Sequence, residues 1–352
     1  MDPTSFQHLP KALLHDHLDG GLRVETVIDL AEMYGYSDLP VSDADALRSW
    51  FFQGESGSLE RYLDAFEHTV AVCGRQEALR RVAYEAGEDL ALDGVVYAEI
   101  RFGPSLHANE GMTREAAVEA VLDGLAAASR DHGIVLSTIL SALRQESDSE
   151  EIASVAARYR GRGVVGFDLA GPEAGYPADD HLAACLIARE AGLGLTIHAG
   201  EGDGPHSIWL ALARCGAQRI GHGVRIIEDT KQDESGNIVE VGALARRVRD
   251  HRITLEVSPS SNLHTGAYPG PVAHPFGALL RAGFAVTINT DNRLMSDVSL
   301  SDELALMAET FDLTLADLGA VTETALTSGF GDWPTRKRIL EEVVRPAYAS
   351  LD

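Results

Sequence analysis

Short apolar runs ending in polar residues alternate along this chain with stretches whose apolar residues fall at helical spacing. The runs are ALLHDHL (12–18), VVYAEIRF (95–102), VLSTILSAL (135–143), VVGFDLAG (164–171), LGLTIHAG (193–200), RIGHG (219–223), TLEVSPSS (254–261) and FAVTINTDN (284–292). Their length and β-branched content predict strands. Between them, TREAAVEAVLDGLAAASRDHG and EEIASVAARYRGRG carry apolar residues at i, i+3 and i+4 with a glycine near the end, which predicts helices. Strands alternating with helices imply parallel strands joined by right-handed crossovers. Eight such units predict an α/β fold, the (β/α)8 TIM barrel, as a single domain over residues 1–352. The excess over the usual ~250 residues fits insertions into that fold. The largest is a helical insertion between strands 1 and 2, where SLERYLDAFEHTVAVCG sits. Another, EDTKQDESGN (228–237), is acidic and reads as an exposed loop.

An open doubly wound sheet is the structural rival, and its usual marker is a glycine-rich phosphate loop after the first strand. The one GxGxxG match, GRGVVG (161–166), precedes a strand instead of following one. Neither GxxxxGK[ST] nor GxSxG occurs.

Composition narrows the partners. Hydrophobic residues make up 45% and charged residues 24%, as in a soluble globular protein. No long apolar run suggests a membrane span, and the first twenty residues lack the pattern of a signal peptide, so a cytoplasmic protein is expected. The formal charge of −25 argues against nucleic acid or an anionic membrane as partner and favours a small molecule. Cys73, Cys185 and Cys215 form no CxxC pair and read as buried thiols.

The polar residues at the strand ends carry the chemistry. The first strand ends in His15 and His17, whose spacing turns both imidazoles to one face. The fifth ends in His198 with Glu201 three residues on, the sixth carries His222 within GHG, and the eighth ends at Asp291. Carboxyl ends of barrel strands face the active site, so histidines and a carboxylate meet at one rim. Such a set suits Zn²⁺ or a similar borderline cation. His68, His132 and His251 sit in helical or loop contexts and read as ordinary side chains.

Together these stretches resemble the adenosine deaminase family, a branch of the metal-dependent amidohydrolases. LPKALLHDHLDGGLR, YAEIRFGP, VVGFDLAG, TIHAGE, RIGHG, LEVSPSSN and INTDN occur in the family's order over nearly the whole chain. The other type of zinc deaminase, with HxE ahead of PCxxC, is not matched.

The resemblance implies one Zn²⁺ per chain, held by His15, His17, His198 and Asp291, with iron, cobalt and manganese open as alternatives. A Lewis acid there lowers the pKa of water from 15.7 toward ~7 and supplies hydroxide for C6 of a purine. Glu201 would protonate N1, which requires a raised pKa in a desolvated pocket. His222 would orient and help deprotonate the water, with Asp291 sharing that work. His17 also borders the substrate, and Gly171 would offer its backbone to N3. Asp19 would accept from the ribose 5′-hydroxyl; relatives acting on the free base commonly carry glutamate there. Its other reading is a turn or cap residue before Gly20 and Gly21. Tyr62, Leu63 and Phe66 read either as an apolar lid or as the packing face of a helix.

One position departs from a common family pattern. Many members end the last strand with two aspartates, whereas this chain has Asp291 and then Asn292. N7 of a purine only accepts hydrogen bonds, so an aspartic acid must be protonated to donate, while an asparagine amide donates directly.

The expected function is hydrolytic deamination of adenosine and 2′-deoxyadenosine to the inosine product and ammonia. Adenine, or a 6-aminopurine nucleoside with a larger 5′ group such as aminodeoxyfutalosine, is the alternative substrate. An inactive relative that binds a nucleoside or a protein, and a hydrolase of some other amide or ester, are the remaining alternatives. The complete ligand and acid set speaks against the first, and HAGE with GHG against the second.

Overall fold

A computed structural model describes residues 3–350. Ten strands follow in chain order: β1 (Lys11–His17), β2 (Val95–Phe102), β3 (Val135–Leu143), β4 (Val164–Ala170), β5 (Gly194–Ala199), β6 (Arg219–His222), β7 (Thr230–Gln232), β8 (Ile238–Val241), β9 (Thr254–Val257) and β10 (Val286–Ile288). Eight of them form one parallel sheet in the order β1-β2-β3-β4-β5-β6-β9-β10, with helices in the crossovers. Each of the eight apolar runs supplies one of these strands. Among the described residues no helix is long and apolar enough to cross a membrane.

Closure between β10 and β1 is made by unusual means. Asp16 bridges Asp291 in parallel, the His17 N–H donating to the Asp291 carbonyl at 2.7 Å and the Asp291 N–H to the His15 carbonyl at 3.0 Å. Below this bridge the Asn289 side chain replaces a strand: its Oδ1 accepts from the backbone of Leu14 and His15, and its Nδ2 donates to the Val257 carbonyl. The seam therefore falls at the residues that carry the chemistry.

Two runs are shorter as strands than their pattern suggests. TLEVSPSS leaves the sheet at Val257, because Pro259 has no N–H for the ladder and instead opens the helix Pro259–His264. FAVTINTDN pairs regularly only over Val286–Ile288, side chains taking over beyond it. The 228–237 stretch is not a plain loop. β7 and β8 pair antiparallel around a turn in which Asp233 Oδ1 accepts from the backbone of Ser235 and Asn237. Alternation was invisible there because both strands are largely exposed and carry charge.

The connection from β1 to β2 holds five α-helices: Val24–Tyr34, Ala44–Phe51, Leu59–Leu63, Phe66–Val72 and Gln76–Leu92. The last packs closely on Arg114–His132. A Cβ on Gly124 would come within 2.3 Å of the Arg80 carbonyl, so the helices meet backbone to backbone. The three thiols are free and buried.

The barrel interior is charged where such barrels are usually filled by branched apolar residues. Arg219 binds Glu99 at 2.7 Å and Glu256 at 2.6 Å, and Arg101 binds Glu256 at 2.7 Å and lies 3.4 Å from Asp168. All five side chains are buried. Ion pairs sealed from water gain stability only if the remaining polar atoms are also engaged. Here Glu256 Oε2 is shared between Arg101 and His15, and Asp168 Oδ1 reaches His198.

Candidate active site

His15 lies at the end of β1 with no exposed surface. Its Nδ1 lies 3.1 Å from Glu256 Oε2. Burial works to raise the Glu256 carboxyl, but the Arg101 and Arg219 charges outweigh it and hold it well below the usual range. An ionised carboxylate only accepts, so Nδ1 carries a proton, and in the neutral ring Nε2 then presents a lone pair. His198 repeats the arrangement: Nδ1 lies 3.1 Å from both Asp168 Oδ1 and the Leu169 carbonyl, two acceptors, which leaves Nε2 bare. The bare nitrogens converge. His15 Nε2 is 3.2 Å from Asp291 Oδ1, and His17 Nε2 is 3.4 Å from the same oxygen and 3.2 Å from His198 Nε2.

Lone pairs of buried imidazoles facing a carboxylate repel unless a cation lies between them. The donor set fits a borderline divalent ion, and the carboxylates behind His15 and His198 sit where outer partners of metal-ligating imidazoles are found. Atoms of His15, His198, His222 and Asp291 lie within 4.8 Å of one another. That tight group has His222 in the place expected for His17, which borders it at the distances above.

Asp291 Oδ2 accepts from Ser261 Oγ at 2.6 Å, which turns Oδ1 to the histidines. His222 and Asp291 both hold left-handed backbone, with φ of 60° and 58°. Such conformations are costly for residues other than glycine and cluster at functional sites. Gly221 leaves room beside them, since a Cβ there would meet the His198 backbone at 3.1 Å and the His15 ring at 3.2 Å.

Glu201 faces His222, Oε2 to Nε2 at 3.4 Å. Its Oε1 is buried with no hydrogen-bond partner among the described residues. Burial first, then the Asp291 and Glu173 charges, raises its pKa well above the ordinary value, which favours the protonated acid. Burial pushes His222 the other way, well below the usual imidazole value, and keeps it neutral. The loop bearing Glu201 is tied to Glu173: Oε1 accepts from Gly200 N–H at 2.6 Å, and Oε2 from Glu201, Gly202 and Asp203 at 3.0, 2.7 and 3.0 Å.

These residues open onto one cavity. His17, Asp19, Gly171, His198, Glu201, His222, Asp291 and Asn292 all line it, whereas His15 lies behind them. Leu59, Tyr62, Leu63 and Phe66 form its apolar side. Tyr62 is buried in the main core and donates to or accepts from Ser296 Oγ at 2.9 Å, so covering and packing roles coexist. Asp19 sits in a short turn, Leu18–Gly20, yet caps nothing there; its Oδ2 reaches Gly103 N–H at 3.4 Å and lies 3.7 Å from His107 Nε2, and Oδ1 is unpartnered. Gly171 has φ of 90°, and a Cβ there would lie 2.6 Å from Gln145 Oε1. Asn292 Oδ1 packs against Gly20, where a Cβ would lie 2.1 Å away.

The family model for adenosine deaminase matches residues 10–346. The chain belongs to the adenosine deaminase family. It is 51% identical to an adenosine deaminase from Mycobacterium marinum, over 99% of this chain and 97% of that one. Among solved structures it is similar to an adenine deaminase from Arthrobacter aurescens, with 27% identity, a TM-score of 0.85 and coverage of 96% and 98%. An amidohydrolase from Burkholderia ambifaria solved with bound zinc aligns at 26% identity and a TM-score of 0.86, over 99% and 93%.

Within this deaminase-family barrel, the strand-end pattern leads to the rim residues but not to those that hold them. Glu256, Ser261 and Asn262 lie inside LEVSPSSN without a signal of their own, and Asp168 lies inside VVGFDLAG in the same way. Glu173, in GPEAG, and His274, in AHPF, have no sequence signal beyond being polar residues in glycine- or proline-marked loops.

Proposed function

We propose that this protein deaminates adenosine, and 2′-deoxyadenosine, to the inosine product and ammonia. The observation that carries the reading is the buried Glu201 carboxyl, its Oε1 without a partner among the described residues and its pKa pushed up by burial, lining one cavity with Asp291. The 51% identity to an adenosine deaminase over nearly the whole chain supports the substrate class.

His15, His17, His198 and Asp291 would hold one zinc ion, the lone-pair geometry around Asp291 Oδ1 being the support for that set. When bound, the ion supplies Lewis acidity that makes water a nucleophile at neutral pH. The chain's own groups do the rest. Glu201 gives its proton to N1 as the water oxygen adds to C6, so that the ring nitrogen does not develop negative charge. Asp291 takes a proton from the attacking water while His222 holds the oxygen. That proton passes to the amino group, the C6–N bond breaks and ammonia leaves; the remaining proton of the added water is lost as the C6 carbonyl forms and restores the acid of Glu201. Gly171 offers its backbone to N3, and Asn292 donates its amide to N7. The free Oδ1 of Asp19 accepts from the ribose 5′-hydroxyl, which favours a nucleoside over adenine and over a 5′-phosphate. Work in the cytoplasm fits this small-molecule role.

The test is ultraviolet-monitored turnover of adenosine, adenine and a 5′-extended adenosine, each with and without a strong chelator. Rapid, chelator-sensitive loss of adenosine with little action on adenine is expected. Zinc-loaded protein that leaves adenosine untouched while converting either other compound would overturn the reading.

A further inference from the structure

A one-way chain of hydrogen bonds reaches His222 from outside the cavity. It starts at the Phe276 backbone N–H, which can only donate and is 3.2 Å from His274 Nδ1. That nitrogen must accept, so the proton of neutral His274 is on Nε2. His274 is buried, and burial lowers its pKa to about 3, so the ring is neutral. Its Nε2 lies 3.3 Å from Asn262 Oδ1, the acceptor end of that amide. The donor end, Nδ2, lies 3.0 Å from His222 Nδ1. His222 Nδ1 therefore accepts, and its ring proton is on Nε2, the atom that faces Glu201.

Running the chain backwards is forbidden. Were His222 to carry its proton on Nδ1, the Asn262 amide would turn over and direct its NH₂ at His274 Nε2. His274 would then protonate on Nδ1, and two N–H groups would face each other at Phe276. The amide itself is held in place. Asn262 is fully buried on the helix Pro259–His264, and its backbone N–H donates to the Ser258 carbonyl at 3.0 Å. The same helix supplies Ser261 to Asp291, and the Ser260 N–H is bound by the buried Glu303 carboxyl at 3.1 Å.

We infer that His274 and Asn262, neither of which lines the cavity, are positioning residues that fix His222 as an Nε2–H donor toward the reacting centre. The inference rests on the deaminase reading and deepens it in two ways. A ring nitrogen that carries a proton has no lone pair for a cation, which removes His222 from the tight four-residue group and leaves His17 as the third imidazole ligand. A neutral Nε2–H also cannot take the proton of the attacking water, so that proton goes to Asp291 while His222 holds the oxygen. That Nε2 lies 3.4 Å from Glu201 Oε2, on the cavity side of the ring, and the other Glu201 oxygen, Oε1, has no partner among the described residues.

The experiment is histidine side-chain ¹H–¹⁵N correlation NMR of the zinc-loaded protein at one neutral pH, with His222 assigned by its loss in His222→Asn. The expected wild-type pattern is a protonated Nε2 and a bare Nδ1. Asn262→Asp, nearly the same shape but accepting at both ends, is expected to move the proton to Nδ1 or add a second one. Its kcat should fall by about 10²–10⁴-fold, the scale seen when a catalytic imidazole is held in the wrong tautomer, with KM little changed. His274→Phe, which keeps ring volume and removes the donor, should lose the unique pattern. His274→Gln, which restores an N–H to Asn262, should regain most of the rate. A wild-type spectrum with the proton on Nδ1 overturns the inference without any variant, as does a wild-type pattern that survives both Asn262→Asp and His274→Phe. The two readings fail separately. Adenosine turnover with an Nδ1–H His222 sinks the relay alone, while an Nε2–H His222 in a protein that spares adenosine sinks the substrate reading alone.

Discussion

Replacing Glu173 by glutamine tests how far the catalytic loop depends on one carboxylate. The side chain is buried and accepts four backbone N–H groups from consecutive residues, one on Oε1 and three on Oε2. Glutamine keeps one oxygen. Its best arrangement puts that oxygen at the Oε2 position and turns its NH₂ against the Gly200 N–H. Orphaning that buried N–H costs about 1–3 kcal/mol, and three bonds that change from charge-assisted to neutral lose about 1 kcal/mol each. Relief from burying a charge offsets roughly half of that sum, leaving about 2–3 kcal/mol of destabilisation. A loss of this size lowers Tm by roughly 3–4 °C in a chain of this length. The damage falls on the loop that carries Glu201, and a displacement of about 1 Å there costs on the order of 10²-fold in kcat. The charge matters as well. After burial and Asp291, Glu173 is the next cause that raises the Glu201 pKa. Without it that pKa falls back toward the ordinary value, and the alkaline limb of the kcat profile moves to lower pH. The assay is thermal unfolding together with kcat and KM for adenosine across pH. A variant with unchanged Tm, kcat and alkaline limb would refute the view that Glu173 holds Glu201 in place.

Glu201→Gln keeps shape but cannot give up a proton, so kcat should fall by about 10²–10⁴-fold while KM holds, measured by steady-state kinetics. Asn292→Asp must be protonated to donate to N7, so its KM for adenosine should rise with pH where the wild type's stays level; an unchanged KM and pH profile would remove Asn292 from that contact. Glu303 is raised by burial from 4.5 to about 8, so the folded state binds its proton more tightly than the unfolded chain. Stability is thus full below the unfolded value and is lost as pH rises through about 8. Glu303→Gln should flatten that decline in urea unfolding measured across the same interval. Chelation should abolish turnover and lower Tm, by about 4 kcal/mol of lost linkage if the ion is held at 1,000 times its dissociation constant, and zinc should restore both.

Periodicity along the chain was enough to place eight parallel strands and to bring a set of polar residues to one rim, because a strand's alternation and a barrel's polarity are properties of local pattern and chain direction. HxH on β1 pointed both imidazoles inward for that reason. Local pattern failed where side chains took over from it. The last strand pairs regularly over three residues only, and Asn289 completes the seam by bonding Leu14, 275 positions away in sequence. The exposed β7–β8 hairpin had no buried face to impose alternation. Which atom of each rim residue does the work was likewise decided only in three dimensions. Glu256 sets the His15 tautomer from 241 positions away, and Glu173 grips the loop of Glu201 from 27 or more. Sequence by itself determined which residues share a face, since that follows from a repeat of two. Tertiary structure alone decided which nitrogen bears a proton and which carboxyl keeps one, since these depend on partners within about 3 Å that chain spacing does not specify.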